Sequence, residues 1–149
     1  HDIVGCNSRL DSIQAAILNE KLKHLDEYIE ARRRAADFYD NAFAGCKKIK
    51  TPYRASHSNH VFHQYTLILE GVDRDELHKF LTEQKVPSMI YYPVPAHQQK
   101  MFAQYNSSML QMPVTDWLTR RVISLPMHTE LDEEQLNYIT SKVSEFVNR

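Results

Sequence analysis

The amino-acid sequence predicts an α+β domain whose small, mainly antiparallel sheet is flanked by helices. Three observations carry this expectation. Apolar residues recur at helical spacing through most of residues 1–45. Two later stretches, 60–70 and 87–92, are rich in β-branched and aromatic residues. No repeating strand–helix–strand series links them, which argues against a parallel α/β sheet.

The elements follow in order. Ser8-Arg9-Leu10-Asp11 has the form of a capping box, with Ser8 as the N-cap and Asp11 at the third helical position. Leu10, Ile13 and Ile17 recur at helical spacing, and Leu18, Leu22, Leu25 and Ile29 continue the pattern on a drifted face. It runs on through Ala35, Ala36, Tyr39 and Phe43 until Gly45, too far for one ordinary helix. Two consecutive helices with a break between His24 and Asp26 are expected. A polar loop with Pro52 follows from Cys46 to about Asn59. The stretch His60 to Glu70 is expected to be a strand, with Val61, His63, Tyr65, Leu67 and Leu69 on one face. Gly71-Val72-Asp73 turns the chain into a helix from Arg74 to Gln84, with Leu77, Phe80 and Leu81 inward. Pro87 opens a second strand through Met89, Ile90, Tyr91 and Tyr92, which Pro93 and Pro95 end because proline cannot donate to a ladder. Short helices are expected over Gln98 to Tyr105 and from Pro113 to about Ser124, the latter burying Trp117 and Leu118. Ser124 to Met127 is expected to be a short strand or an extended segment. A last helix begins near Asp132 and places Leu136, Ile139, Val143 and Phe146 on one stripe, its acidic start and basic end suiting the helix dipole.

Bulk properties exclude several classes. The 149 residues make about one domain, with 42% hydrophobic and 25% charged residues and a net charge of −1. That balance offers no global field for nucleic acid or a membrane surface, and no apolar run reaches the roughly 18 residues of a membrane span. Cys6 and Cys46 stand far apart without metal-type spacing, as expected of reduced thiols in a cytoplasmic protein. Three glycines are few against a usual ~7%, and none forms the glycine-rich turn that cradles phosphates. The chain opens on His1 in a dense block that reads as mid-protein sequence, so most of any site for a phosphorylated cofactor is expected elsewhere.

Few residues suggest chemistry by themselves. His57, His60 and His63 recur at every third position, but on a strand His60 and His63 face opposite sides and cannot share an ion. No metal site is expected. Arg32-Arg33-Arg34, between Glu30 and Asp37, reads as a solvated helix face. Gly5-Cys6-Asn7-Ser8-Arg9 sets an amide and a guanidinium at the expected start of a helix, where unpaired N–H groups favour anions. An ordinary capped helix start explains the same residues. In Tyr91-Tyr92-Pro93-Val94-Pro95-Ala96-His97, two aromatics precede a rigid turn, an arrangement that suits a sugar or nucleotide at a cleft mouth but equally one core and one surface tyrosine.

Taken together, the blocks carry a resemblance. Gly5-Cys6-Asn7-Ser8-Arg9-Leu10-Asp11-Ser12-Ile13-Gln14-Ala15-Ala16-Ile17-Leu18 is very similar to the G-x-N-x-R-L-D-x-I-Q-A-A-I-L block of the DegT/DnrJ/StrS aminotransferases. His60-Val61-Phe62-His63-Gln64-Tyr65, Tyr91-Tyr92-Pro93-Val94-Pro95 with His97, and Ser124-Leu125-Pro126-Met127 followed by Leu131 resemble that family's later motifs in the same order. The resemblance covers nearly the whole chain.

It implies the C-terminal small domain of an aspartate-aminotransferase-like enzyme, that is, the fold type I of pyridoxal-phosphate enzymes. Residues 1–45 would link to a missing large cofactor-binding domain, and residues 46–149 would form the small α+β domain. The implied activity is transfer of an amino group, usually from glutamate, to a nucleotide-linked keto sugar by a homodimer. Pyridoxal phosphate acts there as electron sink on a lysine that the family carries upstream of the first block. No residue of this chain is therefore assigned as catalytic, and the chain alone is expected to be inactive. The resemblance makes Asn7 a contact to the cofactor phosphate of the neighbouring subunit, and Arg9, Tyr91 and Tyr92 contacts to the substrate. Tyr91 stands where many relatives have histidine, and His60, His63 and His97 are assigned supporting roles. A stand-alone regulatory module, or a dehydratase of the same family, is the alternative.

Overall fold

The computed structural model describes residues 2–105 and 107–149. Two helices come first, α1 (Ser12–Leu22) and α2 (Leu25–Ala42). They are followed by strands β1 (Ile49–Lys50) and β2 (Tyr65–Leu69), helix α3 (Arg74–Glu83), a run of short 3-10 turns from Ala96, helix α4 (Pro113–Thr119), strand β3 (Val122–Leu125) and helix α5 (Glu133–Val147). The three strands form an antiparallel sheet in the order β1-β2-β3. The expected α+β class with an antiparallel sheet is what forms.

The sheet is built around β2, whose Tyr65, Leu67 and Leu69 are fully buried while Thr66 and Ile68 are half-buried. Leu67 stands opposite Ile123 and Tyr65 opposite Leu125 in β3. On the alternate positions, Thr66 Oγ1 and Ser124 Oγ share a 2.8 Å hydrogen bond, a cross-strand pair of the kind that fixes register. Ala35, Ala36, Tyr39 and Phe43 of the α2 end, Leu77 and Leu81 of α3, and Leu136, Ile139, Val143 and Val147 of α5 complete one core with these strand residues. Spacings of three and four put those residues on one side of each helix.

Several local expectations are corrected. The N-cap of α1 is Asp11 and not Ser8: the Asp11 carboxylate accepts from Gln14 N–H at 2.8 Å, and the Gln14 side chain reaches back to Asp11 N–H. The box is thus Asp11-Ser12-Ile13-Gln14, three residues later, because aspartate caps as well as serine and glutamine supplies the return bond. The break between helices falls at Lys23-His24, just ahead of the expected position, and Leu25 and Asp26 already belong to α2. The strand expected over 60–70 begins only at Tyr65, since Phe62 adopts φ +49 and turns the chain. The Arg33 guanidinium takes the carbonyls of His60 and Asn59, at 3.1 and 3.3 Å, away from any ladder. His60 and His63 therefore do not sit on a strand, and the alternation argued for them does not apply.

The strand expected over 87–92 reduces to one bridge, in which Met89 and Ser124 exchange backbone hydrogen bonds of 3.0 and 2.7 Å. The helix from Pro113 stops at Thr119, where the Arg120 and Arg121 side chains bind the carbonyls of Asp116 and Trp117. β-Branched Val122 and Ile123 then enter the sheet. Trp117 is at the surface beneath Arg121, 4.9 Å from its ring centre, and not in the core. The short strand β1 lies inside the stretch expected to be loop. It pairs Ile49 with Leu69.

Two bonds from adjacent α2 residues lock that helix to the rest. Tyr39 donates its hydroxyl to the Pro126 carbonyl at 2.9 Å. Asp40 accepts from the Tyr65 hydroxyl and pairs with Arg54 at 2.6 Å, while Asp37 takes the other Arg54 nitrogen at 2.7 Å. The Arg54 guanidinium in turn lies 4.6 Å over the Phe62 ring.

Burial pushes the phenols of Tyr39 and Tyr65 well above their ordinary value, and the hydrogen bond to Asp40 adds to the shift at Tyr65. A raised folded pKa means that the unfolded phenols ionise first, near pH ~10. Their contribution to stability is thus complete below that pH and lost as pH rises through it. The thermal midpoint is expected to fall from about pH 10 upward, and the double variant Tyr39→Phe/Tyr65→Phe to show a shallower decline in calorimetric scans across that range. Separately, Asp132 caps α5 by accepting from Gln135 N–H at 2.7 Å, so Asp132→Ala should cost about 1 kcal/mol in urea unfolding.

Candidate functional site

The segment carrying Asn7 and Arg9 is irregular and precedes α1. The helix begins at Ser12 with Asp11 as its cap, accepting from Gln14 N–H, so Asn7 and Arg9 stand ahead of the cap and not at it. What remains is a pair of exposed side-chain donors. Among the described residues, the Asn7 amide and the Arg9 guanidinium have no hydrogen-bond or ion-pair partner. Both can therefore engage a group outside this chain. An amide beside a guanidinium matches the acceptor oxygens of a phosphate in chemistry.

Tyr91 and Tyr92 follow the Met89 bridge in an irregular loop, not at a strand end. They meet edge to face at 5.6 Å, joined by a cis peptide. Tyr92 is 66% exposed and Tyr91 37%, so neither is a core residue. The loop beyond them is fastened at several points. Gln99 Nε2 donates to the Val94 carbonyl at 3.1 Å, and Ser107 Oγ donates to the carbonyls of His97 and Phe102 at 2.8 and 3.0 Å. The His97 ring is buried, with Nε2 3.6 Å from Asp116 of α4, whose carboxylate also accepts from Gln98 at 3.3 Å. His97 is thus a structural anchor for the loop that presents the tyrosines.

Among the described residues, Asp2 pairs with Lys100 at 3.2 Å, which brings the N-terminal segment against the turn after the tyrosine loop. No hydrogen bond or ring contact joins Asn7 or Arg9 to Tyr91 or Tyr92. His60 is occupied locally, its Nδ1 accepting from Phe62 N–H at 2.9 Å and its ring lying 4.5 Å from that of Phe62. Among the described residues no three His, Cys, Asp or Glu side chains converge as metal ligands, and no helix is long and apolar enough to cross a membrane.

Helix α1 itself buries nothing within this chain. Ile13, Ile17 and Leu22 are 76%, 54% and 64% exposed. Contiguous apolar exposure of this kind marks an interaction surface.

The sequence profile of the DegT/DnrJ/EryC1/StrS aminotransferase family matches residues 1–144. The chain belongs to that family. Among its relatives are a "pleiotropic regulatory protein" of Geobacillus stearothermophilus, 43% identical over 148 residues, and the UDP-N-acetyl-3-dehydro-alpha-D-glucosamine 3-aminotransferase of Acidithiobacillus ferrooxidans, 43% identical over 143 residues. The matches cover 98% and 96% of this chain but only 39% and 37% of those proteins. The fold likewise superposes on DesV of S. venezuelae, solved in complex with a ketimine intermediate, with a TM-score of 0.87 and 33% identity over 100% of this chain and 40% of that one. A DegT DnrJ EryC1 StrS aminotransferase from Brucella abortus gives a TM-score of 0.79 at 34% identity. The chain therefore spans about two fifths of the length of these family members, and its neighbours carry the fold type I architecture.

Sequence reasoning missed the anchoring residues Asp116, Gln98 and Ser107, because their contacts join segments ten or more positions apart in several cases. Removing the Ser107 hydroxyl deletes both of its bonds to the tyrosine loop. In Ser107→Ala, amide hydrogen exchange at Gln98, Gln99 and Phe102 is expected to quicken about fivefold, the equivalent of one hydrogen bond of about 1 kcal/mol, while exchange in β2 stays unchanged.

Proposed function

We propose that this chain is the C-terminal part of a pyridoxal-phosphate-dependent aminotransferase that moves an amino group, from glutamate, onto a nucleotide-linked keto sugar. The single observation that carries the proposal is the near-complete match to sugar aminotransferases over a region that ends well short of their full length. In this reading residues 1–45 link to a large cofactor-binding domain and residues 46–149 form the small domain. The lysine that holds the cofactor lies upstream, the working enzyme is a cytoplasmic homodimer, and the chain alone is inactive.

The residues present fit the cofactor. Asn7, with its amide exposed and unengaged, would hold the cofactor phosphate across the subunit boundary. Arg9 beside it supplies a bidentate fork for a phosphate or sugar oxygen of the substrate. Tyr91 and Tyr92 offer two ring faces and two hydroxyls to the sugar nucleotide, on a loop fastened by bonds from Gln99 and Ser107 and by the buried His97. Bound pyridoxal phosphate supplies the electron sink that amino-group transfer requires. The contribution of this chain is binding and orientation, which aligns the reacting groups.

A second reading has one observation in its favour, the identity to a relative named as a regulatory protein. In it the parent protein binds without catalysing, and loss of water from the sugar by the same cofactor is a third outcome. Incubating the full-length protein with glutamate and UDP- or dTDP-linked keto sugars separates them. Appearance of an amino sugar with 2-oxoglutarate supports the transferase, a dehydrated sugar supports the dehydratase, and no turnover with a bound ligand supports the regulator. In the full-length protein Asn7→Ala is expected to weaken cofactor retention about tenfold or more, since a hydrogen bond to a charged group contributes about 1.5–3 kcal/mol. Equilibrium dialysis followed by cofactor absorbance reads this directly, and unchanged retention removes Asn7 from the site.

A further inference from the structure

Arginines cluster in two places, and the two clusters behave differently. In α2, Arg33 grips the Asn59 and His60 carbonyls, and Arg34 is exposed. Arg32 is half-buried, and its Nε–H is shut from solvent with no hydrogen-bond partner. The expected solvated arginine face is thus corrected for Arg32 and Arg33, and a sealed donor reaches no ligand. The second cluster, Arg74, Arg120 and Arg121, is assembled from two segments far apart in sequence and opens onto a cavity.

That cavity, of about 670 Å³, lies between the turn that opens α3 and the end of α4. Arg74 is 7% exposed, and its bonds fix its guanidinium in place. Its Nε holds Asp75 at 2.7 Å, and its Nη1 donates to the carbonyls of Thr119 and Val122 at 2.9 and 3.3 Å. Its Nη2 bonds to nothing among the described residues and, unlike Arg32 Nε, is not shut from solvent. Arg120 and Arg121 each spend one nitrogen, on the carbonyls of Asp116 and Trp117 at 3.1 and 3.2 Å, and keep the others unengaged. The nearby carboxylates are already committed. Asp73 caps α3 by accepting from the N–H groups of Asp75 and Glu76, and Asp75 holds Arg74. Among the described residues neither Arg120 nor Arg121 has an ion pair. Three guanidinium groups therefore line one cavity with two engaged carboxylates, an excess of like charge that an anion relieves. Val72 and Trp117 add apolar wall, with the Arg121 guanidinium 4.9 Å from the Trp117 ring centre.

We infer that this cavity is an anion site for a small phosphate-bearing molecule. Its phosphate oxygens accept from Arg120, Arg121 and the open Nη2 of Arg74, and its apolar part lies on Val72 and Trp117. Guanidinium forks match phosphate oxygens in geometry, and the cavity has the volume of a small-molecule site, about 300–1,000 Å³. None of these residues is among the candidates for cofactor or sugar binding. The two regions nonetheless share α4, which is followed directly by Arg120 and Arg121 and carries Asp116, the partner of the buried His97. The inference goes beyond the proposed function and does not depend on it.

The test is calorimetric titration of the full-length protein with phenyl phosphate, which carries both the anion and an apolar body. Constant ionic strength keeps charge screening fixed. The wild type is expected to bind, and Arg120→Ala/Arg121→Ala to raise the dissociation constant about tenfold or more, since two charge-assisted forks are lost. If that variant does not fold, Arg120→Lys/Arg121→Lys, which keeps the charge and loses the forks, should weaken binding in the same direction by a smaller factor. Phenyl phosphate that binds variant and wild type equally well sits elsewhere on the protein, and that result would overturn the inference. So would a wild-type protein that does not bind it. Failure of the aminotransferase reading is seen separately, as a full-length protein that forms no amino sugar, and leaves these titrations readable.

Discussion

Helix α2 is held to the sheet by two neighbouring residues whose bonds diverge. Tyr39 points into the core and fixes the chain just after β3 through the Pro126 carbonyl, while Asp40 reaches the Tyr65 hydroxyl at the start of β2 and the Arg54 side chain of the preceding loop. Each bond spans a long stretch of sequence, so together they close the loops before β2 and after β3 at one point. Loop closure is entropically costly, and burial of Tyr39, Tyr65 and Phe43 in stacked and tilted contacts supplies the apolar gain that offsets it. The buried phenols keep their protons for the same reason that the clamp is strong: no water competes for them.

From that clamp the functional layout follows. Fixing the end of β3 fixes Ser124, whose bridge to Met89 sets where the chain begins its irregular path to Tyr91 and Tyr92. The path is then made rigid by side chains rather than by a ladder, through His97, Gln98, Gln99 and Ser107. At the other end α2 passes directly into α1, which leaves the body with its apolar stripe uncovered. The strand and α2, α3 and α5 residues thus close one core, while the α1 side chains stay outside it. Asn7 and Arg9 lie ahead of α1 in sequence, and their side-chain donors have no partner among the described residues.

Much of this was legible in the sequence. Periodicity found both leading helices and their break, α3, α5 and the core stripe of Leu136, Ile139 and Val143, because an amphipathic helix writes its buried face into spacing. The motif order found the family. Other expectations failed for tertiary reasons. His60 to Gln64 has strand composition, yet Arg33, some 27 residues earlier, claims its carbonyls. Tyr91 and Tyr92 have strand composition too, but only Met89 finds a partner. Ser8 fits a cap in sequence, but Asp11 takes that role because Gln14 stands at the third position after it.

By itself the sequence determined the α+β class, the helix spans within a few residues and the family, each encoded in side-chain pattern over short windows. The tertiary structure decided which donors and acceptors meet across distant segments: the Tyr39 and Asp40 clamp, the anchored tyrosine loop, and the division of three like arginines into a grip, an exposed charge and an unpaired buried donor. Pattern reports what a segment prefers to bury, whereas hydrogen-bond partners are set by which backbone groups the completed fold leaves free.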